Sequence, residues 1–202
     1  TLGERRMKAL WLEKQGKIDE AADNYQRILK EYPDDKAALA KVAWIDMERG
    51  NYTEAADHYR RLCLLKPDDV AYQIRWGICL LWTNKSDEGL QKLYELDFRY
   101  PDNTDVIRAL AWGLLLQGKA KKAEETYDRL LSSGQDESQD WLNAAYSKWF
   151  QGKVSDAVIL FKNYKAKENH DIRKAFENDS QLFLIYGVTS CDIHIMLDLI
   201  DE

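Results

Sequence analysis

The chain has 202 residues, 45% of them hydrophobic and 32% charged, enough to bury a sizeable core and too apolar for a disordered chain. A net charge of −6, with no basic run longer than the stretch from Lys119 to Lys122, argues against nucleic acid as a partner, which needs a basic stripe. No stretch approaches the roughly 18 consecutive apolar residues of a membrane-spanning helix.

With only three prolines and ten glycines, and with helix formers dominating between turns, the expected elements are helices. The first pair is predicted over Leu2–Lys14 and Ile18–Glu31, with Gly16 in the turn between them. The phrase around that turn, QGKIDEAADNYQRIL, returns as RGNYTEAADHYRRL, QGKAKKAEETYDRL and QGKVSDAVILFKNY. The turn residues Gly16, Gly50, Asn84, Gly118 and Gly152 stand 34 residues apart, so the helix pair repeats five times at that step. Asn84 replaces glycine where a left-handed helix end is expected, a conformation asparagine tolerates.

Seven residues before each turn stand Ala9, Ala43, Gly77, Ala111 and Ala145, and five after it Ala21, Ala55, Gly89, Ala123 and Ala157. Two antiparallel helices approach closely only where their crossing lacks bulk, so these small residues mark the crossing points. Nine after the turn come Tyr25, Tyr59, Leu93, Tyr127 and Phe161, and twelve after it Ile28, Leu62, Leu96, Leu130 and Tyr164. These large residues share the face of the small ones at helical spacing and are the expected core. Pro33, Pro67 and Pro101 stop the second helix of the first three repeats, whereas Gln135 and Asn169 stand at the equivalent places of the last two, where looser joints are expected. The acids that follow, in YPDD, KPDD and YPDN, are N-caps of the next helix rather than a catalytic pair.

This register of small, small, aromatic and proline resembles the tetratricopeptide-repeat family, from Leu2 to about Asp171. The resemblance implies an all-α, right-handed helical-repeat solenoid over residues 2–171, with residues 172–202 as a helical cap packed on the last repeat. The sequence departs from the family where an aromatic is expected eleven residues before the turn: only Trp141 supplies one.

The closing stretch leaves the period. Gly187 ends one helix, and Thr189 with Asp192 three residues later starts another as a capping box. Ile193, Met196, Leu197 and Ile200 form one apolar stripe of that last helix, and Ile195 and Leu199 remain on its other side. Three fates are open for this surplus: folding into the chain's own groove, pairing with a second copy, or awaiting a partner.

Chemistry-bearing residues are sparse. His58 and His194 read as surface residues; His194 has Asp192 and Asp198 nearby, but only Asp198 stands four residues on along the same helix, and the sequence offers no third ligand for a metal. No nucleophile elbow, phosphate-binding loop or dinucleotide fingerprint occurs. No catalytic, cofactor or metal residue is expected, and the chain reads as non-enzymatic. Cys63, Cys79 and Cys191 form an odd count without close spacing, which leans toward free thiols and a reducing, cytoplasmic compartment. The chain starts at Thr1 rather than Met, as expected of a trimmed N-terminus, with no signal-peptide pattern.

In tetratricopeptide arrays the first helices line a concave groove that takes a peptide or helix. Carried over by offset from each turn, that lining is Trp44, Met47, Ile78, Leu81, Trp82, Trp112, Leu115, Leu116, Tyr146, Trp149 and Phe150. One reading has these side chains packing on neighbouring first helices. The sharper one makes them an exposed, aromatic-rich groove for an apolar or amphipathic segment. The family's chaperone-tail clamp is disfavoured, because its asparagine is absent and Leu10 and Trp44 stand in its place. The expected partner is a protein or peptide, not nucleic acid or a membrane interior, and the chain is a monomer or homodimer. The rival readings are a self-associating structural solenoid using the apolar last helix, and the interaction part of a larger protein.

Overall fold

The computed structural model describes residues 1–202 and contains thirteen α-helices and no strand. Ten of them form the five predicted pairs: α1 (Leu2–Lys14) with α2 (Ile18–Glu31), α3 (Lys36–Glu48) with α4 (Tyr52–Leu65), α5 (Val70–Leu81) with α6 (Ser86–Arg99), α7 (Thr104–Leu116) with α8 (Ala120–Ser132), and α9 (Ser138–Trp149) with α10 (Val154–Ala166). Three shorter elements follow: α11 (Ile172–Asn178), α12 (Ser180–Tyr186) and α13 (Ser190–Asp201). The fold is an all-α helical repeat of the solenoid class. The chain divides into two compact bodies, residues 1–92 and 93–202, with the division inside α6.

In the N-terminal body, α1 to α5 pack successively in the order of the chain. Asp35 and Asp69 cap α3 and α5, accepting from the backbone N–H of Ala38 at 2.8 Å and of Tyr72 at 3.3 Å. One core joins Ala9, Leu12, Ala21, Tyr25, Ile28, Val42 and Ile45, and a second joins Leu39, Ala43, Ala55, Tyr59, Leu62 and Leu80. The small-residue rule is tightest at Gly89, where a Cβ would lie 2.8 Å from the Gly77 carbonyl and 2.9 Å from Leu80.

One expectation fails here. Gly16, Gly50, Gly118 and Gly152 all take positive φ, but Asn84 does not. Thr83 closes that turn instead: its hydroxyl donates to the Leu80 carbonyl at 2.8 Å and accepts from the Lys85 N–H at 3.1 Å. A side-chain oxygen bridging the turn removes the need for a left-handed residue.

The C-terminal body holds the rest of α6 and α7 to α13. Where proline is missing, left-handed residues end the helices: Gly134 after α8, and Glu168 with Asn169 after α10. Its fourth and fifth repeats, joined at Gln135, are tied by ion pairs rather than left loose. Arg108 of α7 grips the fully buried Asp140 of α9 with contacts of 2.9–3.1 Å. Glu124 of α8 accepts from Lys148 at 2.8 Å, Gln151 at 2.7 Å and Lys153 at 2.6 Å. Although burial pushes the Glu124 carboxyl up, hydrogen bonds from Lys148, Lys153 and Gln151 bring it down to about 2. The capping box at Thr189 and Asp192 forms as predicted, and Gly187 ends α12 at a positive φ of 66°.

Candidate partner-binding site

The lining positions lie on first helices or, for Trp82 and Phe150, at their C-caps; those three before the turn stand one helical turn from the small crossing residue, and the others lie round to its side. In the N-terminal body, Trp44, Met47, Ile78 and Trp82 are half-buried and Leu81 is buried. Trp44 leans on the α1–α2 core with one side, and Trp82 stacks on Tyr52 at 5.6 Å. Beside Trp44 opens a cleft of about 430 Å³, lined by Glu13, Ala40, Lys41, Trp44, Tyr59, Tyr72 and Arg75. Lys41 donates to Glu13 at 2.6 Å, and the Tyr25 hydroxyl donates to the other Glu13 oxygen at 3.1 Å, which fixes that carboxylate. Arg75 lies on the exposed rim.

The same offsets in the C-terminal body have a different fate. Trp112, Leu116 and Phe150 are half-buried, while Leu115, Tyr146 and Trp149 are buried. The helices α11 and α12 cover Tyr146, Trp149 and Phe150 and reach the Leu115 carbonyl. Tyr146 is ringed by Phe161, Phe176 and Phe183 at centroid distances of 5.6–5.8 Å. Trp149 stacks on Phe176 at 5.6 Å and meets Phe183 edge-on at 5.6 Å. Phe150 stacks on Tyr186 at 4.1 Å, and the Tyr186 hydroxyl donates to the Leu115 carbonyl at 2.7 Å. At Tyr146, Trp149 and Phe150 the exposed groove expected there is therefore filled by the chain's own C-terminal segment.

The occluding helix is α12, not the last helix. The axes of α12 and α13 turn through 116°. That bend sends α13 to α10, where Met196, Leu197 and Ile200 are buried and Asp201 pairs with Lys165 at 2.7 Å. Ile195 stays 54% exposed and Leu199 half-buried, so the second stripe is left largely uncovered. Asp179, at the joint of α11 and α12, accepts from the Tyr146 hydroxyl at 2.9 Å. Burial pushes its carboxyl above the ordinary aspartate value, and the Tyr146 hydrogen bond only partly opposes this. Phe176, Phe183 and Tyr186 are the site residues that sequence reasoning missed. No repeat marks them, and the break at Asp179 separates Phe176 from Phe183 and Tyr186, so their spacing carried no single helix face.

Among the histidines, His58 is half-buried 3.2 Å from Asp46, and His194 is exposed beside the Ser190 carbonyl. No single helix is long and apolar enough to cross a membrane.

The sequence profile of the tetratricopeptide repeat matches residues 6–70, the stretch holding most of the first two helix pairs. That stretch carries tetratricopeptide repeats, and the helix pairs of the remainder share their fold. Solved tetratricopeptide-repeat structures share its fold at low sequence identity. A protein of Parabacteroides merdae aligns with a TM-score of 0.73 at 14% identity, covering 99% of this chain and 83% of the other. PilW, described as a widely conserved type IV pilus biogenesis factor, aligns with a TM-score of 0.72 at 18% identity, covering 96% and 89%. A thermophilic protein of Thermus thermophilus aligns with a TM-score of 0.68 at 17% identity, covering 91% and 100%. No curated protein matches the chain significantly in sequence. Tetratricopeptide-repeat proteins are generally non-enzymatic modules that bind protein partners or act as scaffolds.

Proposed function

We propose that this protein binds a peptide or amphipathic helix of a partner protein, with the first-helix face of the N-terminal body as its accessible site. The observation that carries this reading is the cleft of about 430 Å³ walled by Trp44 and Tyr72. A half-buried tryptophan in a concavity gains most when a partner desolvates it, and such anchors dominate binding energy. Lys41 and Arg75 at the rim suit a partner whose flanking residues are polar or acidic.

The test is a displayed peptide library panned on the wild-type chain. Selected sequences should lose at least about tenfold in affinity for Trp44→Ala and Tyr72→Ala. Sequences that bind wild type and both variants equally would remove the N-terminal cleft from consideration.

A second reading, self-association through the last helix, has its own observation in the exposed Ile195 of α13. Light scattering decides it: that reading requires a dimer that Ile195→Glu dissolves.

A further inference from the structure

The first-helix face of the C-terminal body already holds a helix, and we infer that a partner takes this seat by displacing α12: a short amphipathic helix carrying two aromatic side chains one turn apart. This rests on the reading of the first-helix faces as partner sites and names the chemistry one of them accepts.

The resident helix defines that chemistry. Phe183 and Tyr186, three residues apart and so on one side of α12, enter the aromatic cluster of α9. Tyr186 adds a directional contact, its hydroxyl donating to the Leu115 carbonyl in the last turn of α7. An incoming helix with that aromatic pair finds stacking surfaces and an acceptor already in place.

The hold on α12 is weak for three separate reasons. The helix is only seven residues long, and helices of that length have almost no stability of their own. It turns outward an apolar face, with Leu184 82% and Ile185 42% exposed, where a permanent cap would carry polar residues. Docking also draws the Asp179 carboxylate against the aromatic cluster, with the Tyr146 hydroxyl as its hydrogen-bond partner and no lysine or arginine paired to it.

The joints allow the helix to leave alone. Asp179 breaks the helix on one side, and Gly187, in the left-handed conformation, breaks it on the other. Beyond Gly187, α13 is anchored on α10 by its own buried stripe and by the pairing of Asp201 with Lys165, and Asp201 also pairs with Arg173 of α11. Release of α12 therefore needs no release of α13.

The probe is a fluorescein-labelled synthetic peptide with the sequence of residues 171–188, added to the full chain and followed by fluorescence polarisation. Occupancy of the seat by α12 lowers the apparent affinity by the fraction of time the seat is closed. The peptide should accordingly bind Phe183→Ser and Tyr186→Ser chains about tenfold or more tighter than wild type. A peptide with alanine at both aromatic positions should not bind, and Leu184→Ser in the chain should leave the affinity unchanged. A second measurement uses wild type alone: at saturating peptide, amide exchange should rise in residues 180–186 of the chain and fall in α9.

Equal affinity of the peptide for wild type and the two serine variants, all folded by circular dichroism, overturns the inference. So does unchanged exchange in residues 180–186 at saturation, or a dimer that exchanges α12 between copies while the peptide fails to bind. If library-selected peptides still depend on Trp44 while the residue 171–188 peptide fails, the N-terminal cleft stands and only this inference falls.

Discussion

The residue six places before the turn is Trp44 in the second repeat and Tyr146 in the fifth, and the two live in opposite surroundings. Trp44 borders an open cleft, half-buried against one helix pair. Tyr146 is sealed, with aromatic rings of α10, α11 and α12 packed around it. The repeat sets which helix face a position occupies. Whether that face becomes a binding surface or a core is set by what the rest of the chain lays over it.

The largest effect expected from this contrast is on stability of the C-terminal body. Tyr146→Ala and Trp149→Ala each remove a ring from a closed cluster and should cost about 3–5 kcal/mol, as buried aromatic truncations do. Urea denaturation measures it. Losses under about 1 kcal/mol would mean that α11 and α12 do not hold these rings in solution.

Next come the helix crossings, which both bodies share. Ala123→Leu inserts bulk at a fully buried position between α8 and its neighbours, and should cost about 1–3 kcal/mol. Gly89→Ala tests the N-terminal body at the same offset, since its new Cβ would meet the Gly77 carbonyl at 2.8 Å, where backbone must shift. Thermal melts matching wild type for both would refute the register on which the comparison rests.

How much of this was legible in the sequence follows from the same contrast. The helix bounds, the crossings and the aspartate caps repeat with the period, so each is written several times and errors cancel. The joint at Asn84 was misread because the turn chemistry there is carried by Thr83, outside the repeating pattern. The looser joint expected at Gln135 did not allow for Arg108–Asp140 and the Glu124 cluster, whose partners lie 24–32 residues apart in sequence. The covering of Tyr146 and Trp149 was invisible for a related reason. It depends on Phe176, Phe183 and Tyr186, which occur once and answer to no period.

Two carboxylates sharpen the picture of the C-terminal body through pH, with opposite signs. Glu124 sits below its ordinary value, so its contribution is complete above 4.5 and is lost as pH falls through about 2. Glu124→Gln should cost about 1.5 kcal/mol at neutral pH and flatten the acid limb of the stability curve. Asp179 sits above its ordinary value, so docking is favoured in full below 3.8 and that advantage disappears as pH rises through the raised value. Asp179→Asn keeps an acceptor for the Tyr146 hydroxyl without the charge. It should therefore slow amide exchange in α12 at neutral pH, and faster exchange would show the carboxylate to be stabilising instead.

Of the ring truncations, the smallest effect is expected where the faces differ most in cover. Trp44→Ala takes away a large side chain, yet one side of it borders the cleft rather than protein. Only the side resting on the core of Ala9, Val42 and Ile45 contributes to folding. Part of the Trp44 surface faces the cleft, so a cost of about 2 kcal/mol, below that of Tyr146→Ala, is expected. Affinity for a cleft ligand should respond far more strongly, because binding desolvates the remaining side. Urea titration and peptide binding on the same variant read the two quantities separately. A stability loss equal to that of Tyr146→Ala would place Trp44 in the core, and the two bodies would no longer differ in the way their first-helix faces are used.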